Sequence, residues 1–190
     1  MKFEGPIQDI LDDARDHMEK TLEHFKHELS HLRAGRATPA MLEDVRVEYY
    51  GSRVPLEQVA SVSAPAPDLL VVQPWDRSLV GPIEKAIIAA NLGLNPSNDG
   101  TLIRIPVPPP TEERRRELAK AARLRAEEAR VAIRNIRRSH KDHLKRVAKE
   151  EHLSEDLLRA AEEALQELTN TYIAKIDKLL EAKEKEIMTV

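Results

Sequence analysis

Residues 111–150 most constrain what this chain can fold into, because their apolar side chains recur mostly at steps of three or four. Such steps place side chains on one face of an α-helix, so one long helix is predicted. Thr111 is its predicted N-cap, since the acidic Glu112 and Glu113 follow in the turn where negative charge is favoured. The apolar seam of this helix comprises Leu118, Ala122, Ala126, Ala129, Ile133, Ile136, Leu144 and Val147. A helix of this length spans about 60 Å, so the structure that contains it is elongated.

Two further segments repeat the same rhythm. The first, residues 6–33, carries the seam Leu11, Ala14, Met18, Leu22, Phe25, Leu29 and Leu32. The second begins near Ser154 and carries Leu158, Ala161, Leu165, Leu168, Tyr172, Ile176, Leu179 and Ile187. Each seam is too narrow to stabilise a helix alone, so the three helices must share one core. We therefore predict an elongated antiparallel three-helix bundle.

Between the first two helices the pattern changes to short strands and turns. Strand-like segments are predicted at 45–50, 59–62, 69–72 and 102–105, with a short helix at 79–90 and turns at 95–100. The predicted fold class is α+β and mainly helical. A small β/α/β domain of residues 35–110 is inserted into a bundle of residues 1–34 and 111–190.

Two short segments, 33–36 and 106–110, are predicted to join the domains. The first contains a glycine and can bend, whereas the second is rich in proline and resists bending. A limited hinge is expected, although two chain connections can equally hold the angle between domains fixed. The predicted hinge residues are Arg33, Ala34, Gly35, Arg36, Pro106, Pro108, Pro109 and Pro110.

Charge is distributed unevenly along the chain, although the formal net charge is only −3. Residues 111–150 hold 14 lysines and arginines against 7 acidic residues, a net charge of +7, and the remainder holds 16 against 26, a net of −10. Helical spacing places the basic residues on one flank, about 100° from the seam. This flank comprises Arg123, Arg130, Arg134, Arg137, Lys141 and Lys145, with Arg138 beside it.

The alternative to a binding surface is a solvated flank that glutamates neutralise. Between residues 123 and 146, however, only Glu127, Glu128 and Asp142 oppose nine basic residues, so incomplete neutralisation is expected. The planar arginine fork suits phosphate groups, and binding through it weakens steeply with salt. Aromatic residues, at 3%, are too few to stack single-stranded bases. The predicted ligand is structured RNA, recognised by its shape and its phosphates.

One short motif indicates a competing chemistry. The segment 27–31 reads His-Glu-Leu-Ser-His and matches the zinc-protease pattern of two histidines one turn apart with a glutamate base. Leu29 occupies the seam, no third ligand is evident, and His17, His24 and His31 recur at steps of seven as in a column beside a bundle core. We therefore predict no metal site here. His140 falls on the seam of the long helix and is predicted to be a partly buried core residue.

Other chemistry is excluded by what the sequence lacks. It has no cysteine and no phosphate-binding glycine loop or nucleophile turn. No apolar run reaches the roughly 20 residues that span a bilayer, and no secretory or transit signal is recognisable. We expect a cytoplasmic monomer that is not an enzyme, with no cofactor, no metal and no membrane partner.

Several motifs, in order along the chain, resemble those of the ribosome recycling factor family. They lie at residues 32–37 (LRAGRA), 47–51 (VEYYG), 76–78 (DRS), 92–96 (LGLNP), 111–115 (TEERR) and 134–138 (RNIRR). The resemblance covers essentially the whole chain. It implies an L-shaped molecule that binds the post-termination ribosome through large-subunit ribosomal RNA and, with elongation factor G and GTP, separates the subunits and promotes release from mRNA.

The resemblance also implies roles for individual residues. The arginines that the family places against ribosomal RNA match Arg134, Arg137 and Arg138. Two further arginines of the family, near the junction of its two domains, match Arg33 and Arg36. The predicted RNA-binding set, which adds two residues of the basic flank, is Arg134, Arg137, Arg138, Arg130, Lys141, Arg33 and Arg36. The same likeness matches the family's hinge to segments 33–36 and 106–110. Because no transit signal is recognisable, a bacterial protein is expected in preference to an organellar one.

Two other hypotheses belong to different functional classes. A coiled-coil scaffold with protein partners would not lose ribosome association steeply as salt rises. A zinc protease would contain stoichiometric metal. These measurements separate both hypotheses from the RNA-binding interpretation.

Overall fold

A computed structural model describes residues 2–32 and 36–189 of the chain. The chain divides into two compact units, which we call the helical unit (Met1–Arg33 with Glu112–Val190) and the mixed unit (Ala34–Thr111). In chain order the elements are α1 (Gly5–His31), β1 (Arg46–Tyr49), β2 (Ser52–Pro55), β3 (Ala60–Ala66), β4 (Leu69–Pro74), α2 (Val80–Ala89), β5 (Ser97–Asn98), β6 (Ile103–Pro106), α3 (Glu112–Glu150) and α4 (Glu155–Met188). None of the helices in the described ranges is long and apolar enough to cross a membrane.

The helical unit is the predicted antiparallel three-helix bundle. Contacts between α1 and α3 run in opposite directions, because Arg125 pairs with Glu28 and His140 pairs with Asp13. Four residues separate α3 from α4, so these two helices also run antiparallel. Ser154 caps α4 by accepting a hydrogen bond from the Leu157 amide at 3.1 Å, which satisfies one of the free amides of the first turn.

The core of the bundle follows the predicted seams closely. Phe25, Met18, Ile133 and Leu165 are almost completely buried, and truncation of such a side chain costs about 2–5 kcal/mol. Five seam residues are only half-buried: Leu32, Ile136, Leu158, Leu168 and Leu179. The core also includes His140, as predicted, and positions that the seams omitted, namely Ile7, Ile10, Ala119, Ala148 and Thr169.

The mixed unit contains two antiparallel sheets and one helix. One sheet is the hairpin β1–β2, and the other has the strand order β3-β4-β6-β5. The strand β2 (Ser52–Pro55) lies between the predicted strand-like segments 45–50 and 59–62 and was not predicted. Tyr50 and Gly51 have φ of 48° and 79°, which matches a two-residue turn with both central residues left-handed, the geometry that joins hairpin strands. The core of this unit includes Leu70, Val72, Ile83, Ile103 and Ile105.

Both ends of the mixed unit are tied to the turn between β3 and β4. The amide of Ala37 donates to the carbonyl of Pro67 at 2.8 Å, and the amide of Val107 donates to that of Asp68 at 2.7 Å. Pro106 is the last residue of β6 and pairs with Leu69, so it belongs to the sheet and not to a connection. The predicted hinge at 106–110 therefore has to be shortened to residues 108–110.

Candidate nucleic-acid interface

The predicted RNA-binding residues of the long helix share one flank of α3. We call Arg123, Arg130, Arg134, Arg137, Arg138, Lys141 and Lys145 the basic flank. Because α3 is a continuous helix of 39 residues, its spacing alone fixes their common direction. Arg138 and Lys145 are exposed, whereas Arg134, Arg137 and Lys141 are half-buried against neighbouring side chains. The flank is thus a row of positive charges along one continuous helix.

The N-terminal part of the basic flank is neutralised by carboxylates. Arg123 Nε lies 2.9 Å from Glu184 Oε1, and Arg130 contacts both Asp177 at 2.8 Å and Glu127 at 3.0 Å. Arg134 lies 3.4 Å from the second oxygen of Glu127. The expectation of incomplete neutralisation is wrong for residues 123–134. Glu184 and Asp177 belong to α4, so a count of acidic residues along α3 alone omits them.

The surroundings of Arg130 favour its charged form. Although its burial opposes charge, the bonds to Asp177 and Glu127 raise the pKa of Arg130 above its usual value. In turn, the bonds from Arg130 and Arg134 hold the pKa of Glu127 below its usual range. The Arg130 side chain is only 20% exposed. This part of the flank joins α3 to α4 and offers little free charge.

The C-terminal part of the basic flank is different, because Arg137 meets an amide instead of an acid. Its guanidinium donates to Gln166 Oε1 at 3.0 Å, and the Gln166 amide in turn donates to Asn170 at 2.9 Å. Arg138 and Lys145 form no ion pair with any residue of the described ranges. The guanidinium of Arg137 is therefore held in place while its charge remains unneutralised.

The difference between the two parts follows from matching steps of seven on the two helices. Arg123 and Arg130 on α3 face Glu184 and Asp177 on α4. The next step of seven reaches Arg137 on α3 and, in the opposite direction, Asn170 on α4. An amide stands where the preceding two steps have a carboxylate. This register could have been found in the sequence by aligning α3 and α4 as antiparallel neighbours.

The remaining predicted RNA-binding residues vary in their surroundings. Lys141 lies 4.0 Å from Glu162, a long contact that leaves most of its charge available. Arg36 is exposed and directly precedes the anchored Ala37. Arg33, with the predicted hinge residues Ala34 and Gly35, lies outside the described residues.

The zinc-protease motif does not form a catalytic arrangement. The Nε2 atoms of His27 and His31 lie 3.0 Å apart, but both carboxylate oxygens of Glu28 are engaged elsewhere. One contacts His24 at 3.0 Å and the other contacts Arg125 at 3.1 Å. A glutamate held in this way is not free to activate water between the two histidines.

A different cluster of potential ligands was missed in the sequence. Asp13 and His17 on α1 meet His140 on α3, with one ligand atom of each within 4.8 Å of the others. His140 is buried as predicted, at 8% exposure. The Asp13–His17 spacing of one helical turn was visible, but the partner on α3 requires the antiparallel register of the bundle.

Comparison with known proteins agrees with the resemblance in the motifs. A family model described as ribosome recycling factor matches residues 25–188. The ribosome-recycling factor of Salinibacter ruber is 56% identical over 187 residues, which cover 98% of this chain and 99% of that protein. The corresponding protein of Thermus thermophilus is 53% identical over 182 residues, 96% of this chain and 98% of its own length.

Solved structures show the same relationship. A solution structure of the ribosome recycling factor superposes with a TM-score of 0.79 at 46% identity, covering 99% of this chain and 100% of that one. A second similar structure is the T. thermophilus factor, placed with E. coli elongation factor G on the E. coli post-termination complex. Its TM-score is 0.64 at 53% identity, and it covers 96% of this chain and 99% of its own.

Proposed function

The chain belongs to the ribosome recycling factor family, and from this premise we propose that it binds the post-termination ribosome through large-subunit ribosomal RNA. With elongation factor G and GTP it then promotes separation of the subunits and release from mRNA. The related T. thermophilus factor has been placed with elongation factor G on a post-termination complex, which supports both partners. Members of the family are translation factors and not enzymes, so the energy comes from the GTPase partner.

One observation carries the assignment of the RNA-binding surface. Arg137 is oriented by the Gln166 amide at 3.0 Å and has no carboxylate partner among the described residues. Binding to a phosphate therefore requires no internal ion pair to break, and the charge-assisted hydrogen bonds formed are of the stronger kind. Arg138 and Lys145 extend the same positive surface.

The neutralised part of the flank contributes less to this proposal. Exposed ion pairs are worth about 0–1 kcal/mol, so a phosphate can compete with Glu127 for Arg134, whose contact is 3.4 Å long. Arg130 is held by two carboxylates and is mostly buried. We rank Arg137 and Arg138 first, Lys141 and Arg134 next, and Arg130 last. Arg33 and Arg36 remain predictions from the resemblance.

In the proposed mechanism the two units have different roles. The helical unit holds ribosomal RNA through α3, and the mixed unit transmits movement that elongation factor G drives. Residues 33–36 and 108–110 are the proposed hinge. The next residues towards the mixed unit, Ala37 and Val107, are already hydrogen-bonded to the turn between β3 and β4. We further propose that the protein acts as a monomer in the cytoplasm, where its ribosomal partner is found.

A subunit-splitting assay tests the proposed function directly. Post-termination ribosomes are incubated with the protein, elongation factor G and GTP, and subunits are separated by sedimentation. We expect splitting that needs all three components and that falls strongly with Arg137→Ala. Lys178→Ala is the matched control, because Lys178 is an exposed α4 cation with no ion pair in the described ranges. Splitting that is absent with the unaltered protein, or equal for both variants, would refute the proposal.

A further inference from the structure

We propose that Asp13, His17 and His140 form a binding site for a divalent transition-metal ion of the Zn²⁺ type, bridging α1 and α3. One ligand atom from each residue lies within 4.8 Å of the others. Two imidazoles and one carboxylate are a donor set that zinc accepts, with a fourth position left for water. The site uses none of the residues of the basic flank, and the proposal does not rest on the function proposed above.

The orientation of His140 suits a metal ligand. Its Nδ1 lies 2.7 Å from the carbonyl oxygen of Ile136, and because a carbonyl only accepts hydrogen bonds, Nδ1 carries the proton. Its Nε2 faces Asp13 Oδ2 at 2.8 Å, and because an ionised carboxylate also only accepts, this contact holds a proton that an incoming metal ion would displace. Metal-ligating histidines commonly donate their other N–H to a backbone carbonyl, which fixes the ring and its tautomer.

The three ligand atoms have to rearrange on binding, because they lie within 4.8 Å of one another and the widest pair closes by as much as roughly 1.5 Å. Ligand atoms around a tetrahedral zinc ion are roughly 3.3 Å apart, from bonds of about 2.0–2.1 Å. The Asp13 carboxylate therefore has to retreat by roughly half an ångström from His140. Asp13 and His17 are 59% and 52% exposed, so both side chains can adjust, whereas His140 is fixed in the core. The exposed side gives the ion a route of entry.

Zinc titration by calorimetry tests this site, with three forms of the full chain in mildly alkaline buffer, because metal binding releases protons and is favoured as the pH rises. The unaltered protein and His27→Ala/His31→Ala are both expected to bind one Zn²⁺ per chain. His17→Ala is expected to bind at least about tenfold more weakly, since even loss of an outer-shell partner costs that much. His17 is exposed, so its replacement leaves the core intact.

The double variant is needed because His27 and His31 form a second pair of imidazoles one turn apart. A thermal-unfolding series gives an independent readout: zinc raises the Tm of the unaltered protein and the double variant but not of His17→Ala. Absence of one-to-one binding in the unaltered protein overturns the proposal, as does equal binding by His17→Ala. Loss of binding in the double variant assigns the ion to the other pair and also overturns it.

Discussion

The two parts of the basic flank differ in what faces them across the bundle. Arg123 and Arg130 meet carboxylates of α4 at 2.9 and 2.8 Å, whereas Arg137 meets the amide of Gln166 at 3.0 Å. All three arginines lie on the same face of the same helix at steps of seven. Their different surroundings show that like residues in one row have different partners: Arg123 and Arg130 join α3 to α4, and we propose that Arg137 presents its charge to a ligand.

The comparison also shows how the unneutralised charge is kept in place. An unsupported arginine side chain would lose substantial conformational freedom on binding. Gln166 and its partner Asn170 restrict Arg137 beforehand without removing its charge. In the proposed complex with ribosomal RNA, the neutral amides thus favour binding by reducing the conformational entropy that Arg137 has to lose.

The largest expected effect is the loss of both adjacent arginines in the unneutralised part. Arg137→Ala/Arg138→Ala removes two cations that we assign to phosphates, each worth about 1.5–3 kcal/mol. Ribosome affinity is expected to fall about 100-fold or more, with little change in the unfolding midpoint. Filter binding to post-termination ribosomes measures it. The matched control, Arg123→Ala/Arg130→Ala, should lose stability but little affinity; similar affinity losses in both pairs would remove the distinction.

A smaller loss of ribosome affinity is expected when Arg137 is given a carboxylate partner like those of Arg123 and Arg130. Gln166→Glu places a carboxylate against Arg137 while leaving every arginine intact, and affinity is expected to fall about tenfold through competition with phosphate. Thr171→Glu adds the same charge to the same helix, five residues on and about 140° around it. If both variants bind equally well, net charge and not local pairing controls affinity.

A contact between α1 and α4 allows the stability of the bundle to be changed without altering the basic flank. The Tyr172 hydroxyl donates to Glu19 at 2.6 Å, joining α4 to α1. Tyr172→Phe is expected to cost about 1 kcal/mol of unfolding free energy and to leave ribosome affinity unchanged. Chemical denaturation and ribosome binding by the same variant check both points, and a loss of affinity would show that the bundle transmits strain to α3.

The same contact has a defined pH dependence. Burial, with the Glu19 carboxylate, raises the pKa of Tyr172 from 10.0 to about 12. The folded state favours the protonated hydroxyl, so its contribution is fully present below about pH 10 and lost as the pH rises through about 12. The stability difference between the unaltered protein and Tyr172→Phe should shrink across that interval. A constant difference would contradict the raised pKa.

The smallest effect is expected from loosening the neutralised part. Asp177→Asn removes one of the two carboxylates that hold Arg130, and Asp177 is about half exposed. Such a pair is worth roughly 0.2–1 kcal/mol, so the unfolding free energy should fall by that amount. Ribosome affinity should stay constant or rise slightly, because Arg130 gains freedom to bind phosphate. A fall in affinity would place Asp177 in the interface itself.

Much of the fold was predictable because helical periodicity is a local property. The seams predicted α1, α3 and α4 to within a few residues, and the break in rhythm located the mixed unit. β2 was missed because the left-handed turn at Tyr50 and Gly51 determines whether the chain returns as a hairpin. β5, of two residues, is too short to leave a periodic signal.

The site was less predictable because its charge balance depends on neighbours from another helix. Counting acids along α3 identified Glu127 but omitted Asp177 and Glu184, which reach the flank only through antiparallel packing. The same limitation concealed His140 as the partner of Asp13. Arg137 stays a prediction as an RNA-binding residue, and its contact with Gln166 was likewise not evident from α3 alone.

The salt dependence of ribosome binding tests the central claim most directly. Affinities of the unaltered protein, Arg137→Ala/Arg138→Ala and Arg123→Ala/Arg130→Ala are measured over a series of salt concentrations, and log affinity is plotted against log salt. Each lost phosphate contact reduces the steepness of this negative slope by about 0.7–0.9. For Arg137→Ala/Arg138→Ala we predict a slope that is less steep by about 1.4–1.8. For Arg123→Ala/Arg130→Ala we predict the slope of the unaltered protein. Equal slopes for all three proteins would contradict the assignment of Arg137 and Arg138 to ribosomal phosphates.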